Sequence, residues 1–490
     1  MTYDVIVVGA GASGAIVAAR SAASGHSVLL IEAGGATSIS GKEYWDPMLW
    51  AELPGNPAIA WDYLSVPQPN LDNRVIPMSR AKALGGCTLH NAMVYVRGAQ
   101  ADYDTWETMG CTGWGWKEVL PYFERAEGAF GIWTAPSNAF IDSLFRAAND
   151  QGIPFNPDYN GDAGQFGSAN FRFTIDPATG LRQTSYSVYL GAEPTRVQTV
   201  AGLVVSILFN GTTAVGVRVI PADGTAPEAY YGGTIVLSAG TIGSPHILLL
   251  SGIGPAAQLQ QFDIPVLLDQ PQIGQHLHDD LFGTVTYSSP GPLPPQPYGL
   301  LGAVVFASTT GSPDEIDFES SLSSGAMAGM GPPYRPNSYW LWPNFLHLRS
   351  TGSVSLASAD PTVPPLIDPG YLTDPADMQI CVDGIKLARA IGGDPALAPW
   401  RTEEILPGPD VVTDDEIAAY LRATAGTTYH YVSTCRMGSN ADAVVDPTLQ
   451  VKGVHNLHVI DASIVPHRIT GNTAAVSFMI GEKGAALLLE

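Results

Sequence analysis

Residues 3–35 read "YDVIVVGAGASGAIVAARSAASGHSVLLIEAGG". The run 4–9, DVIVVG, is apolar without alternation, the pattern of a strand buried on both faces. Residues 15–24 are alanine-rich with helical spacing, and 27–32, SVLLIE, reads as a second strand. Between strand and helix, Gly9, Gly11 and Gly14 complete G-x-G-x-x-G. The first glycine permits the turn, the second lets backbone approach a pyrophosphate, and the third packs helix on sheet. The helix N-terminus then turns its partial positive charge toward phosphate. Glu32 ends the second strand, 18 residues after Gly14. A carboxylate there accepts hydrogen bonds from ribose hydroxyls and disfavours a 2′-phosphate. A dinucleotide is expected; FAD and NAD remain undecided by this motif alone.

Outward from this unit, composition sets bounds. The chain has 490 residues, 45% hydrophobic and 14% charged, with a formal net charge of −23. Such length predicts two domains with large cores, and so few charges argue against long disordered or coiled-coil stretches. The acidic balance repels nucleic acid and anionic membranes, so neither is expected as a partner. Cys87, Cys111, Cys381 and Cys435 form no C-x-x-C pair. They predict reduced thiols in a cytoplasmic protein, with no metal site and no disulfide frame. The opening residues lack a secretory-signal pattern, and no unbroken apolar run reaches membrane-span length.

Residues 36–110 are loop-rich with many Gly, Pro and Trp, a length that suggests chain wrapping a ligand. Residues 114–127 read as an amphipathic helix, 199–220 as two strands around an NGT turn, and 232–255 as strand, Gly-rich turn and helix. Residues 284–428 change character, with alternating runs, Pro-rich loops, the aromatic stretch PPYRPNSYWLWPNF, and helices near 375–392 and 414–424. The last 65 residues return to strand, loop and helix. The predicted fold is α/β with α+β character. A Rossmann-like domain is assembled from 1–153, 194–283 and 429–490, and an inserted substrate domain from 154–193 and 284–428 holds an antiparallel sheet with helices.

Four further stretches follow the βαβ opening: "LGGCTLHNAMVYVRG", "SAGTIGSPHILLLSGIGP", "TYHYVSTCRMG" and "VIDASIVPHRITGNTAAVSFMIGEKGAALL". Together with it they resemble the glucose–methanol–choline (GMC) oxidoreductase family of FAD enzymes, from residue 3 to the end apart from 290–345. The resemblance implies that His430 and Asn472 face the flavin N5. A neutral imidazole accepts an alcohol's hydroxyl proton while hydride leaves the carbinol carbon. An amide orients the hydroxyl and cannot titrate, which leaves His430 as the base. Asp461 matches an FAD-contacting acid. Asn472 and Thr473 open the last helix, where backbone N–H groups suit the flavin N1/O2 edge. Residues 251–255, SGIGP, match a family motif read as structural, after a helix starting near Ser244. The family's usual pattern places His after the Asp of "GQHLHDDLFG"; Asp280 stands there instead, and His276 and His278 are assigned no chemistry.

In "GGCTLHN", Gly86 belongs to a tight turn, and His90 precedes Asn91 as in choline-oxidising members of the family. The resemblance implies cofactor contacts for Gly86, His90 and Asn91, with His90 a candidate for covalent attachment to the FAD 8α-methyl. Cys87 is read as a small buried residue. A choline-type cation wants an aromatic cage and a carboxylate. Tyr334, Tyr339, Trp340 and Trp342 offer rings, but core filling is the more ordinary role of such residues. No carboxylate stands in "PYGLLGAVVFAST", and Glu319 is a poor substitute by position. The expected reaction is therefore oxidation of an aryl or medium-chain primary alcohol to the aldehyde, with O2 giving H2O2. Rivals are a dehydrogenase using another electron carrier, and a non-redox lyase or photodecarboxylase on the same fold. A homodimer is left open.

Overall fold

The computed structural model describes residues 2–34, 44–191, 196–295, 301–324 and 337–490. Thr2–Val8 and Val28–Glu32 form parallel strands in register Val5↔Val28 to Val8↔Ile31, joined by the helix Gly14–Ala23. Their side chains are buried on both faces, which is why neither strand alternates. Val197–Asn210 adds parallel to Val28–Glu32 on one side. Glu228–Leu237 and then Leu457–Val459 add parallel on the other. The outer halves of Val197–Asn210 and Glu228–Leu237 diverge and pair antiparallel with Thr213–Pro221 around the predicted turn.

The two ends of the chain close this layer together. Helix Ala474–Leu489 packs on helix Gly14–Ala23, where a Cβ at Gly481 would stand 3.0 Å from the Ser13 backbone. Ser13 Oγ donates to the Ser477 carbonyl at 2.7 Å. Arg20 grips the fully buried Glu482 with two hydrogen bonds of 2.9 and 2.6 Å, and Tyr189 OH donates to the same carboxylate at 2.8 Å.

An eight-stranded antiparallel sheet forms the second layer. Its central strands, Val285–Ser288, Leu301–Ala307, Phe318–Ser324 and Ser338–Phe345, come from the middle of the chain; Gly167–Asn170 pairs at one edge and Glu404–Leu406 at the other. Helix Pro375–Gly392 packs on Ser338–Phe345, with Gly384 backbone laid against the Phe345 ring. Separate cores lie under the two sheets.

Some expectations need correction. The stretch read as loop to 110 contains the helix Gln100–Thr108, whose first turn is held by Asp102 accepting from Ala99 N. A weak apolar stripe hides it; its buried face is only Asp102, Tyr103 and Trp106. The helix placed near Ser244 starts at Gly240 and carries Pro245 in its first turns. Cys87 is half-buried rather than buried. Tyr339 and Trp340 fill the core, while Tyr334 lies outside the described residues.

Candidate active site

Between the two sheets lies a cavity lined by residues of both. Gly9, Gly11, Glu32, Gly86, His90 and Asn91 line it from the N-terminal half. His430, Asp461, Asn472 and Thr473 line it from the C-terminal half. Gly14 stays behind the wall, where a Cβ would stand 2.0 Å from the Gly9 carbonyl oxygen; its task is close packing.

The glycine-turn part of the wall is made of backbone. Gly86, with φ +51°, lies against Gly11 so closely that a Cβ would sit 2.6 Å from the Gly11 Cα. Neither Ser13 nor Thr473 makes a side-chain capping bond; in the first turn of Gly14–Ala23, Ala15 N donates to the Gly11 carbonyl at 3.2 Å. Glu32 accepts from Ala10 N and Gly34 N, both at 2.9 Å, and burial raises its pKa to about 7 against those bonds. Asp461 accepts from Gly240 N at 2.9 Å, Ser244 Oγ at 2.5 Å and Ser463 N at 2.8 Å, tying Leu457–Val459 to the Gly240 turn.

His90 ends a short 3-10 turn, Gly86–Leu89, and is buried with its Nδ1 lacking a hydrogen-bond partner. Burial lowers its pKa to about 3, assisted by Arg80 and Arg182, so the ring is neutral with a free lone pair. Arg182, not anticipated from the sequence, fixes this turn. Its Nη1 donates to Thr88 O at 3.1 Å, Asn91 O at 2.7 Å and Asn91 Oδ1 at 2.8 Å.

Elsewhere on the wall, His430 Nε2 lies 3.0 Å from Asn472 Nδ2, and His430 Nδ1 lies 3.1 Å from Asp280 Oδ2. Burial lowers the imidazole pKa, with Glu319 and Asp279 opposing. The His430 backbone N–H donates to Asp279 at 2.8 Å, and Asp279 is itself held by Tyr371 OH and Thr427 Oγ1 at 2.5 and 2.6 Å. Two carboxylates from the run 279–280 thus serve the histidine, one through its backbone and one through its ring. The sequence signal was present: Asp280 occupies the position where the resembled pattern has His. His276 and His278 take structural bonds, to Gln272 and to the Leu348 carbonyl.

Glu319 stands nearer this chemistry than its sequence position suggested. It is fully buried in the strand that also carries the wall residue Ser321, one of its oxygens lacks a partner, and burial raises its pKa to about 7 while His430 pulls it down. Trp342 lines the cavity beside Phe282, and Trp50, Trp61, Tyr63, Tyr429 and Tyr431 supply further aromatic surface. Among the described residues no cluster of His, Cys, Asp and Glu could hold a metal ion, and no helix is long and apolar enough to cross a membrane.

Two family models described as GMC oxidoreductase match residues 3–282 and 349–481. An alcohol dehydrogenase [acceptor] of Pseudomonas putida is 34% identical over 99% of this chain and 96% of that enzyme. Choline oxidase of Arthrobacter globiformis is 34% identical over 99% of this chain and 94% of that enzyme. The crystal structure of pyridoxine 4-oxidase from Mesorbium loti superimposes with a TM-score of 0.91 at 28% identity, covering 99% of this chain and 98% of that one.

Proposed function

The chain belongs to the GMC oxidoreductase family, and from that premise we propose that it oxidises an aryl or medium-chain primary alcohol to the aldehyde, with FAD as cofactor and O2 as terminal acceptor giving H2O2. The cavity fits FAD on its own terms: bare glycine backbone in its wall, uncapped helix starts beside it, and the side chains of His90 and His430 both lining it. Gly9, Gly11, Glu32, Gly86, Asn91, Asp461 and Thr473 would hold it. When bound, FAD supplies the acceptor for the hydrogen and electron pair lost by the carbinol carbon.

The observation that carries this reading is the His430–Asn472 contact inside the cavity. Neutral His430 takes the hydroxyl proton at Nε2. Asn472 donates an N–H to the same region, steadying the developing alkoxide without competing for the proton. The aromatic wall suits a flat or apolar alcohol, and pyridoxine, named in a structural relative, is an aromatic carbinol. The alcohol and choline oxidoreductases among the relatives favour redox chemistry over a lyase or photodecarboxylase. We further assign residues 1–153, 194–283 and 429–490 to cofactor binding and 154–193 with 284–428 to substrate binding.

Anaerobic mixing with benzyl alcohol and a series of primary alkanols tests the reaction. Bleaching of the flavin band is expected, slowed roughly 10²- to 10⁴-fold by His430→Gln. Persistent colour with every alcohol would refute it. Peroxide release on admitting air separates the oxidase from a dehydrogenase that reduces only added dyes. His90 is our candidate for covalent attachment; yellow colour retained in an acid-precipitated pellet, and lost in His90→Ala, is the expected result.

A further inference from the structure

We propose that Asp280 is a positioning residue that keeps the ring hydrogen of His430 on Nδ1, so that Nε2 is the accepting nitrogen, holding the Asn472 N–H at rest and taking the alcohol's proton in its place. This rests on the reading of His430 as the base. The ionised Asp280 only accepts, which calls for the ring hydrogen on Nδ1. The Asn472 amide nitrogen stands 3.0 Å from Nε2 and fits the same tautomer. That hydrogen points at Asp280 Oδ2, 3.1 Å away, in the one side-chain hydrogen bond Asp280 makes among the described residues. Asp279, Tyr371 and Thr427 pin the His430 backbone independently. Asp280 is therefore free to act on the ring without carrying the local fold.

The pair gains and loses one proton as a unit. If the added proton makes His430 an imidazolium, both ring nitrogens are occupied. If it resides on Asp280, the carboxylic acid donates to Nδ1 and the ring hydrogen moves to Nε2. Either way the base is closed, and removing that proton opens it. Burial pushes Asp280 up to about 8 and His430 down, so the pair holds its proton through the neutral range and opens as pH rises beyond it. The charged groups facing the pair are Asp279, Glu319 and Arg80 on the histidine side and Arg468 on the aspartate side. None of them bonds to the ring.

The test is the pH dependence of anaerobic flavin reduction in the wild type, Asp280→Asn, Asp280→Glu and His430→Gln. The wild-type rate rises with pH as the pair loses its proton. Asp280→Asn removes the anion that favours the imidazolium, so the rise moves to lower pH by about one unit or more. Its plateau falls roughly 10- to 100-fold, as expected for loss of an orienting partner. Asp280→Glu restores the direction of the wild-type profile. Independently of activity, ¹⁵N-histidine NMR above the transition shows an Nδ1–H resonance that His430→Gln deletes and Asp280→Asn displaces. An unshifted profile in Asp280→Asn, or a His430 hydrogen on Nε2 above the transition, would overturn the proposal. If His430→Gln left flavin reduction intact, the base assignment would fall instead, while the NMR tautomer would still judge the hold of Asp280 on the ring.

Discussion

Replacing Gly86 by alanine probes the contact on which the cofactor end is built. Gly86 has φ +51° and would place a Cβ 2.6 Å from the Gly11 Cα. Carbon atoms settle at about 3.5–4.0 Å, so the two loops must part by about 1 Å. The left-handed backbone costs an L-residue about 1–2 kcal/mol, and forced overlap in a packed site adds about 1–3 kcal/mol. Gly224→Ala is the matched control: φ is +72° and nothing lies within 4 Å. It should show only the backbone cost, about 1–2 kcal/mol. Chemical denaturation of both variants measures the difference, and flavin-to-protein ratio after purification reports on the site. Gly86→Ala should unfold at lower denaturant than the control and lose flavin, because parting the loops moves Gly11 and His90 relative to each other. Equal midpoints and equal flavin content would refute the close-approach argument.

Three other perturbations follow from named contacts. Arg20→Met strips the nearer of two cations from buried Glu482 and leaves Arg125 at 3.6 Å; with that partner remaining and Arg20 37% exposed, the destabilisation should be about 1–3 kcal/mol, below that of a fully buried pair, and read by denaturation. Arg182→Met gives up the Nη1 bonds to Thr88 and Asn91, so flavin content should fall and the His90 turn should exchange amide hydrogens faster. Glu32, Glu319 and Asp280 all have pKa values raised by burial, to about 7, about 7 and about 8. Raised carboxyl values mean the native state binds more protons, so stability is full below their unfolded values near 4 and is lost as pH rises toward 8. The denaturation midpoint should drop between pH 5 and 8, and Glu319→Gln should flatten that slope; an unchanged slope would remove Glu319 from the account.

The opening βαβ unit, the strand pair 197–221 and the helices at 116–130, 375–392 and 414–424 were legible because hydrophobic periodicity and turn residues are local signals. Helix Gln100–Thr108 was not, since it buries little apolar surface and is held by Asp102. The residues expected around a cofactor share one cavity, Gly14 apart, because motifs report which backbone shapes and functional groups a site requires. What touches His430 was a different matter. Asp279 and Asp280 come from 150 residues upstream, and Glu319, which acts on the ring through its charge, comes from a strand of the other sheet. Arg182 reaches His90's turn across more than ninety residues of chain. The sequence by itself determined the nucleotide-binding layer, its glycine turn and the identity of a histidine–asparagine pair. Only the tertiary structure decided which carboxylates surround that pair, because burial and proximity depend on how distant strands pack, and those two quantities set whether a side chain is charged.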